Sequence, residues 1–363
     1  MVHELTRAQA RRLAVTAQLL AAERPGGIVE TVYGLTALPI DPTAAIAPSA
    51  DHILWSRLGW PYQHADLVRA AEVDRDIFEW GGFYRLTSDL PLLRAQMAGR
   101  PSDEKSRAWL AANEGFRRDV LDRLRADGPA HAAQIPDTAQ VSWTSSGWTD
   151  NRNAQQMLEI LVGMGVVAVS GRDGKGRLFD LAERVYPPDQ PDVSPEDAAR
   201  ERRERRLGAL GIARERSIAQ PFEPIDVGPP GESAVVDGVS GLWRVDAEAL
   251  DALDGFVGRA ALLSPLDRLV FDRDRLAEIF GYEYVLEMYK PAVKRRWGYF
   301  ALPILYGDRF VGKLDAKADH KAGMLRVHAI HEDETFSTEV SDAVRAQVRD
   351  LAEWLGLTVD GLS

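Results

Sequence analysis

The stretch from Phe116 to Leu181 constrains the fold more than any other part of this chain. Apolar residues recur at helical spacing through Val120, Leu121 and Leu124, and the run stops at Asp127-Gly128-Pro129. After a short polar segment a second helical pattern begins near Asp150 and carries Ala154, Leu158, Leu161 and Val162. Gly163 to Gly165 end it, because glycine tolerates the backbone geometry of a helix C-terminus. Two strands follow, Val166 to Ser170 and Arg177 to Leu181, around the turn Gly171-Arg172-Asp173-Gly174-Lys175-Gly176. Helix, short helix, helix and hairpin, in that order, make a winged helix.

In such a unit the second main helix enters the major groove of DNA and its N-terminal polar side chains meet bases and phosphates. Here those are Arg152, Asn153 and Gln156, with Arg172, Lys175 and Arg177 on the hairpin beside the phosphate backbone. Winged helices also serve as protein-interaction modules, so the pattern leaves both uses open. Trp143 and Trp148 fit the hydrophobic core of this unit.

The rest of the chain reads as mostly helical with β-hairpin wings, an α+β class. Thr6 and Gln9 can cap each other's backbone N–H groups at the start of a helix running to about Ala22, which Pro25-Gly26-Gly27 breaks. Ile28 to Asp41 is a short strand or turn, and the first hundred or so residues look predominantly helical. Gln190 to Pro195 is a proline-punctuated linker before a charged helix from Glu196 to Glu215, and Pro221 to Gly241 is rich in Gly and Pro. Helices are expected at Asp246–Leu253 and Asp272–Phe280. Alternation in the β sense marks Tyr299–Leu305, Arg309–Leu314 and Met324–Ile330, and a terminal helix runs from Ser341 to Leu355. These elements suggest three domains, 1–115, 116–190 and 191–363. A chain of 363 residues with 45% hydrophobic composition can bury that many cores.

No window holds the roughly 20 apolar residues a membrane span needs, and no secretory leader is visible, so a cytoplasmic protein near the nucleoid is the expectation. The oligomeric state is open, with a monomer the default. The absence of cysteine excludes disulfides and thiolate chemistry. No phosphate-binding loop, dinucleotide fingerprint, nucleophile elbow or zinc-protease motif occurs, and no cofactor or metal is expected. His328 and His331 lie three apart on an expected strand, where period two points them to opposite faces, which argues against a metal pair.

A net charge of −11 argues against a uniformly basic coat, but the charges are segregated. Leu286 to Ile330 holds nine Lys or Arg against four Asp or Glu, whereas His331 to Ser363 holds two against eight. Within the basic segment Lys290, Lys294, Arg295, Arg296, Lys313, Lys317, Lys321 and Arg326 interleave with Tyr289, Trp297, Tyr299 and Phe300. Cations beside aromatic rings suit a phosphate backbone and an unstacked base. A basic hairpin with core aromatics is the plainer alternative.

Several blocks carry a resemblance. Leu5-Thr6-Arg7-Ala8-Gln9-Ala10-Arg11-Arg12, Ile53-Leu54-Trp55-Ser56-Arg57-Leu58-Gly59, Leu263-Ser264-Pro265-Leu266-Asp267, the run from Lys294 to Leu305, and Gly307-Asp308-Arg309-Phe310-Val311-Gly312-Lys313-Leu314-Asp315 resemble the bacterial YcaQ and AlkZ family of winged-helix DNA glycosylases. The resemblance spans nearly the whole chain. It implies tandem winged-helix domains with a C-terminal β-rich segment and terminal helix, and a concave basic face for double-stranded DNA that includes Arg57. It further implies metal-free, cofactor-free excision of bulky alkylated purines, and in some members the unhooking of interstrand crosslinks.

The family's catalytic motif looks like Gln, an apolar residue and Asp, and the matching positions here are Pro39, Ile40 and Asp41. The acid is present; the glutamine is replaced by a residue with neither side-chain amide nor backbone N–H. Pro48 and Ala50 stand where relatives tend to carry Arg and His, although Asp51 remains, and Phe83 and Tyr84 stand for a His-Glu pair expected in the next helix. Asp41 also suits a helix N-cap with Pro42 at the first helical position. Excision through Asp41, a non-catalytic DNA binder (lesion sensor, regulator or architectural protein) and a protein-interaction scaffold are the readings these residues support.

Overall fold

The computed structural model describes residues 2–145, 150–217 and 223–362. Trp148, expected in the core, and Pro221 and Phe222 of the Gly/Pro-rich stretch lie outside the described residues. The architecture is mixed α/β, with helix exceeding strand (42% against 21%). The chain divides into two compact units that are not consecutive: Met1–Leu67 with Arg203–Ser363, and Val68–Arg202. Periodicity reports local structure and carries no sign of a chain that leaves a unit and returns to it, so the sequence suggested three consecutive segments instead.

In the unit built from both ends of the chain, the helix Arg7–Ala17 opens with the expected reciprocal cap: Gln9 N–H donates to Thr6 Oγ1 at 3.2 Å and Thr6 N–H to Gln9 Oε1 at 2.9 Å. It stops short of Ala22, because Leu19 adopts a positive φ of 58°. Its buried face, including Leu13 and Val15, packs in a core with Trp243, Ile279 and Leu305. A four-stranded sheet orders Val2–Leu5, Glu232–Val236, Val239–Val245 and Ile212–Ala213, with the first pair parallel.

The second sheet of this unit positions the chemistry. Its order is Ala260–Leu262, Leu302–Tyr306, Arg309–Asp319, Met324–Glu332 and Thr358–Asp360, antiparallel except for the last pair. The terminal helix Thr338–Trp354 starts on Ser337, whose Oγ accepts the Val340 N–H at 3.3 Å, and buries Val340, Val344, Val348 and Leu351 along one stripe. At its end Trp354 stacks on Trp55 with ring centroids 5.5 Å apart and donates Nε1–H to the Tyr62 carbonyl at 3.0 Å.

The helix Ser49–Leu58 holds a buried polar hub. Arg57, implied by the resemblance as a DNA contact, is instead fully buried and paired through both terminal nitrogens with the buried Asp267; its Nε donates to Gln18 O at 3.1 Å. No phosphate can reach it. The blocks 53–59 and 263–267 are thus two sides of one ion pair. A turn earlier, His52 bonds the Leu262 carbonyl at 3.1 Å, and burial pushes its pKa down to about 4, although the Asp267 carboxylate and that hydrogen bond act the other way.

In the unit Val68–Arg202 a π-helical turn, Arg69–Val73, precedes the hairpin Ile77–Trp80 and Phe83–Leu86. Phe83 and Tyr84 therefore lie on a strand rather than a helix, and alternate between a half-buried and a buried position. Helices Leu90–Ala98, Glu104–Ala112 and Glu114–Asp127 follow, then a single bridge from Ala130 to Phe179, a short 3-10 turn Ala132–Gln134, the helix Asn153–Gly163, and the hairpin Val167–Asp173 with Gly176–Leu181. This hairpin is longer than expected, because the turn is only Gly174-Lys175: Asp173 Oδ1 accepts the Lys175 N–H at 2.7 Å and closes it. Trp143 is buried edge-on against Trp109, as expected of a core residue. Among the described residues no helix is long and apolar enough to cross a membrane.

Candidate functional site

Asp41 follows the short strand Leu38–Pro39 and stands at the head of an irregular loop that runs to the helix beginning at Ser49. No helix starts at Pro42, so Asp41 is not an N-cap. Its Oδ1 instead accepts the Thr43 N–H at 2.7 Å, which folds the loop back on the carboxylate. Ser49 clamps the segment from the other side, its Oγ donating to Pro39 O and accepting the Asp41 N–H, each at 2.8 Å. The missing amide of Pro39 therefore leaves the backbone well held around a half-buried carboxylate.

The same loop reaches the second sheet. Ala318 N–H donates to Ala45 O at 2.9 Å, and Ala45 lines a cavity of about 650 Å³. Its other walls include Arg295, Arg296, Trp297 and Gly298 from the loop ahead of Leu302, Asp315 and Lys317 from one strand, and His328 and His331 from the next. Gly298 has φ +120°, and a Cβ there would overlap the Asp315 carboxyl, so only glycine lets this loop cover the acid. Burial pushes the Asp315 pKa up, while the nearby His328, His331 and Arg295 pull the other way. Glu287, buried, fixes the loop by accepting the N–H groups of Arg296 and Trp297 at 2.7 and 2.8 Å.

The two histidines share this cavity against the period-two expectation. Asp315 pairs with Ala329 and Ala316 with Val327, so His328 is an extra residue in its strand, and such a bulge turns it to the face that carries Ala329 and His331. His331 Nε2 lies 3.1 Å from the Trp297 carbonyl. Among the described residues no group of three or more His, Asp or Glu could hold a metal ion. Asp315, His328 and His331 were not among the candidate residues that sequence reasoning selected. The signal was available for Asp315, which ends a block already matched, but the bulge has no mark in the sequence.

The cationic candidates separate by environment. Arg296, Lys294, Lys317 and Lys321 are exposed, and Arg295 is half-buried with its guanidinium 5.0 Å from the Tyr299 ring centroid. Lys313 is buried: its ammonium sits 4.2 Å from the Tyr282 ring and 4.6 Å from the Trp297 ring, and pairs with Asp333 at 2.7 Å, so it is a structural cation rather than a phosphate ligand. In the unit Val68–Arg202, Asn153 is buried too, accepting the Trp143 N–H at 2.7 Å and donating to Asp137 at 2.8 Å, which corrects its expected place at a base edge. Arg172 bonds the buried Glu79 at 2.5 Å, and Arg177 pairs with Glu79 at 3.1 Å and with Glu159. These hairpin arginines are partly neutralised within the protein. Arg152 and Lys175 are exposed, and Gln156 is half-buried.

The family model described as DNA glycosylase AlkZ-like matches residues 32–354. Among solved structures the chain is similar to Streptomyces sahachiroi DNA glycosylase AlkZ, with a TM-score of 0.61 over 98% of this chain and 99% of that one. At 17% identity that likeness is one of fold. The family match takes in the Asp41 loop, the buried ion pair and the whole cavity, and the chain belongs to the AlkZ-like DNA glycosylase family.

Proposed function

We propose that the protein hydrolyses the N-glycosidic bond of bulky N7-alkylated purines in double-stranded DNA, unhooking crosslinks where the purine is joined to the opposite strand, with Asp41 as the catalytic carboxylate. The observation that carries this reading is the hydrogen bond from Ala318 to Ala45, which ties the Asp41 loop to the rim of a cavity edged by exposed cations. Arg296, Lys317 and Lys321 suit the phosphates flanking a lesion, a salt-sensitive and sequence-tolerant contact. The segment Glu114–Leu181 supports a winged-helix reading by its order of elements, with Arg152, Gln156 and Lys175 offered to DNA.

N7 alkylation makes the purine cationic, so the bond between C1′ and N9 breaks with its electron pair leaving on the base. The sugar becomes an oxocarbenium ion, which a fixed carboxylate stabilises; water then adds to C1′ and gives its proton to that carboxylate. No cofactor is required by this balance. Pro39 favours a second reading, because it offers no amide to hold the water: a protein that binds the lesion without excising the base. The two separate on Asp41→Asn. Under the first reading the variant keeps its DNA affinity and loses base release from a duplex carrying one N7-alkylguanine; identical release by both proteins would remove Asp41 from the mechanism.

A further inference from the structure

The mechanism through Asp41 leaves unused the carboxyl group inside the cavity. Asp315 is half-buried beneath Gly298, whereas Arg296 and Lys317 are exposed. The cavity therefore grades from cationic at its mouth to acidic in its depth. Ala45, Ala316 and Ala329 contribute little bulk to its walls, and its volume of about 650 Å³ lies within the roughly 300–1,000 Å³ that small-molecule pockets occupy. Tyr299, also on the wall and partly exposed, offers an aromatic face.

That gradient matches the polarity of a single nucleotide: phosphate outward, π-face on an aromatic ring, hydrogen-bonding edge inward. We infer that the cavity takes up one unpaired nucleotide of DNA, base inward, and that Asp315 selects guanine. The inference rests on the proposed action on DNA and adds a base preference to it. Guanine presents N1–H and the N2 amine side by side, two donors that a carboxylate accepts in parallel. Adenine presents the acceptor N1 at the same place, which would face a carboxylate oxygen with no proton between them. Burial works against the ionised form that this recognition needs; Arg295 and the two histidines oppose that effect, and the donors of guanine would oppose it further.

The test is equilibrium binding of the full chain to duplexes with one bulged guanine, one bulged adenine or no bulge, read by fluorescence anisotropy. Asp41→Asn is used as the background, so that excision cannot distort the result. The expected preference for guanine over adenine is about tenfold, within the range one bidentate contact supplies. Asp315→Asn should abolish or reverse it, because a carboxamide can donate to adenine N1 and accept from its N6 amine. Lys317→Ala should weaken both duplexes equally. The preference in the Asp315-containing protein stands without any change at that position, so a poorly folded Asp315→Asn does not remove the test. Equal affinity for the two bulges, or a preference unchanged by Asp315→Asn, overturns the inference while leaving action on DNA intact; absence of affinity for every duplex overturns both.

Discussion

Arg57 and Arg295 come from two sequence blocks that carry the same family resemblance, and they end in opposite environments. Arg57 is fully enclosed, its guanidinium shared among Asp267, Ser56 and the Gln18 carbonyl. Arg295 lies at a cavity wall against Tyr299, beside the half-buried Asp315. The difference lies in what compensates each charge. An arginine closed off from water must be matched by a buried anion and by carbonyls, whereas one at a cavity wall stays in reach of a ligand. The first region holds the fold; the second is where the proposed function places the DNA.

The largest expected effect falls on the buried region. Arg57→Ala strands Asp267 in the interior, and breaking such a pair costs about 3–5 kcal/mol, read as a lower midpoint in urea unfolding. DNA affinity per folded molecule should not change; if it falls while stability holds, Arg57 belongs with the cavity and the contrast collapses.

His52 gives the same region a pH dependence. Its folded pKa of about 4 lies below the ordinary 6.5, so the unfolded chain binds more protons between those values. Stability from this residue is present above about pH 6.5 and is lost as pH falls toward 4, to a total of roughly 3 kcal/mol. His52→Gln should flatten that part of the stability profile, which unfolding measured at intervals of pH would reveal.

At the cavity the effects on stability shrink and those on binding grow. Gly298→Ala places a Cβ against Asp315 at a positive φ, for a cost of about 1–3 kcal/mol, and should weaken DNA binding beyond what lost folding explains. Smallest of all, Lys317→Ala and Lys321→Ala should leave stability unchanged and each lower the slope of log affinity against log salt by about 0.9. An unchanged slope would take the phosphate path away from these two lysines.

What was legible in the sequence follows the range of the interaction. The Thr6–Gln9 cap, the existence of the hairpin around Gly174-Lys175, though not the length of its strands, and the terminal helix are settled within a few residues, and each could be read there. Arg57 and Lys313 could not, because their fates depend on Asp267, 210 residues away, and on rings brought together by the fold. Asn153 was misread for the same reason: its polar side chain serves Asp137 and the Trp143 backbone. His328 was lost to a single inserted residue, since one bulge reverses every facing that strand alternation implies. Asp41 is legible through resemblance alone, and Ser49 and Thr43 make its segment a turn rather than a helix cap.

The most direct test of the central claim is single-turnover release of base from a duplex carrying one N7-methylguanine, with the protein saturating the DNA. Release faster than spontaneous depurination of the same duplex, and its loss in Asp41→Asn at equal occupancy, is the expected result and would establish excision through Asp41 beside Pro39. Release at the spontaneous rate, with occupancy demonstrated in the same tube, would contradict excision of this lesion and favour a protein that binds damage without excising it.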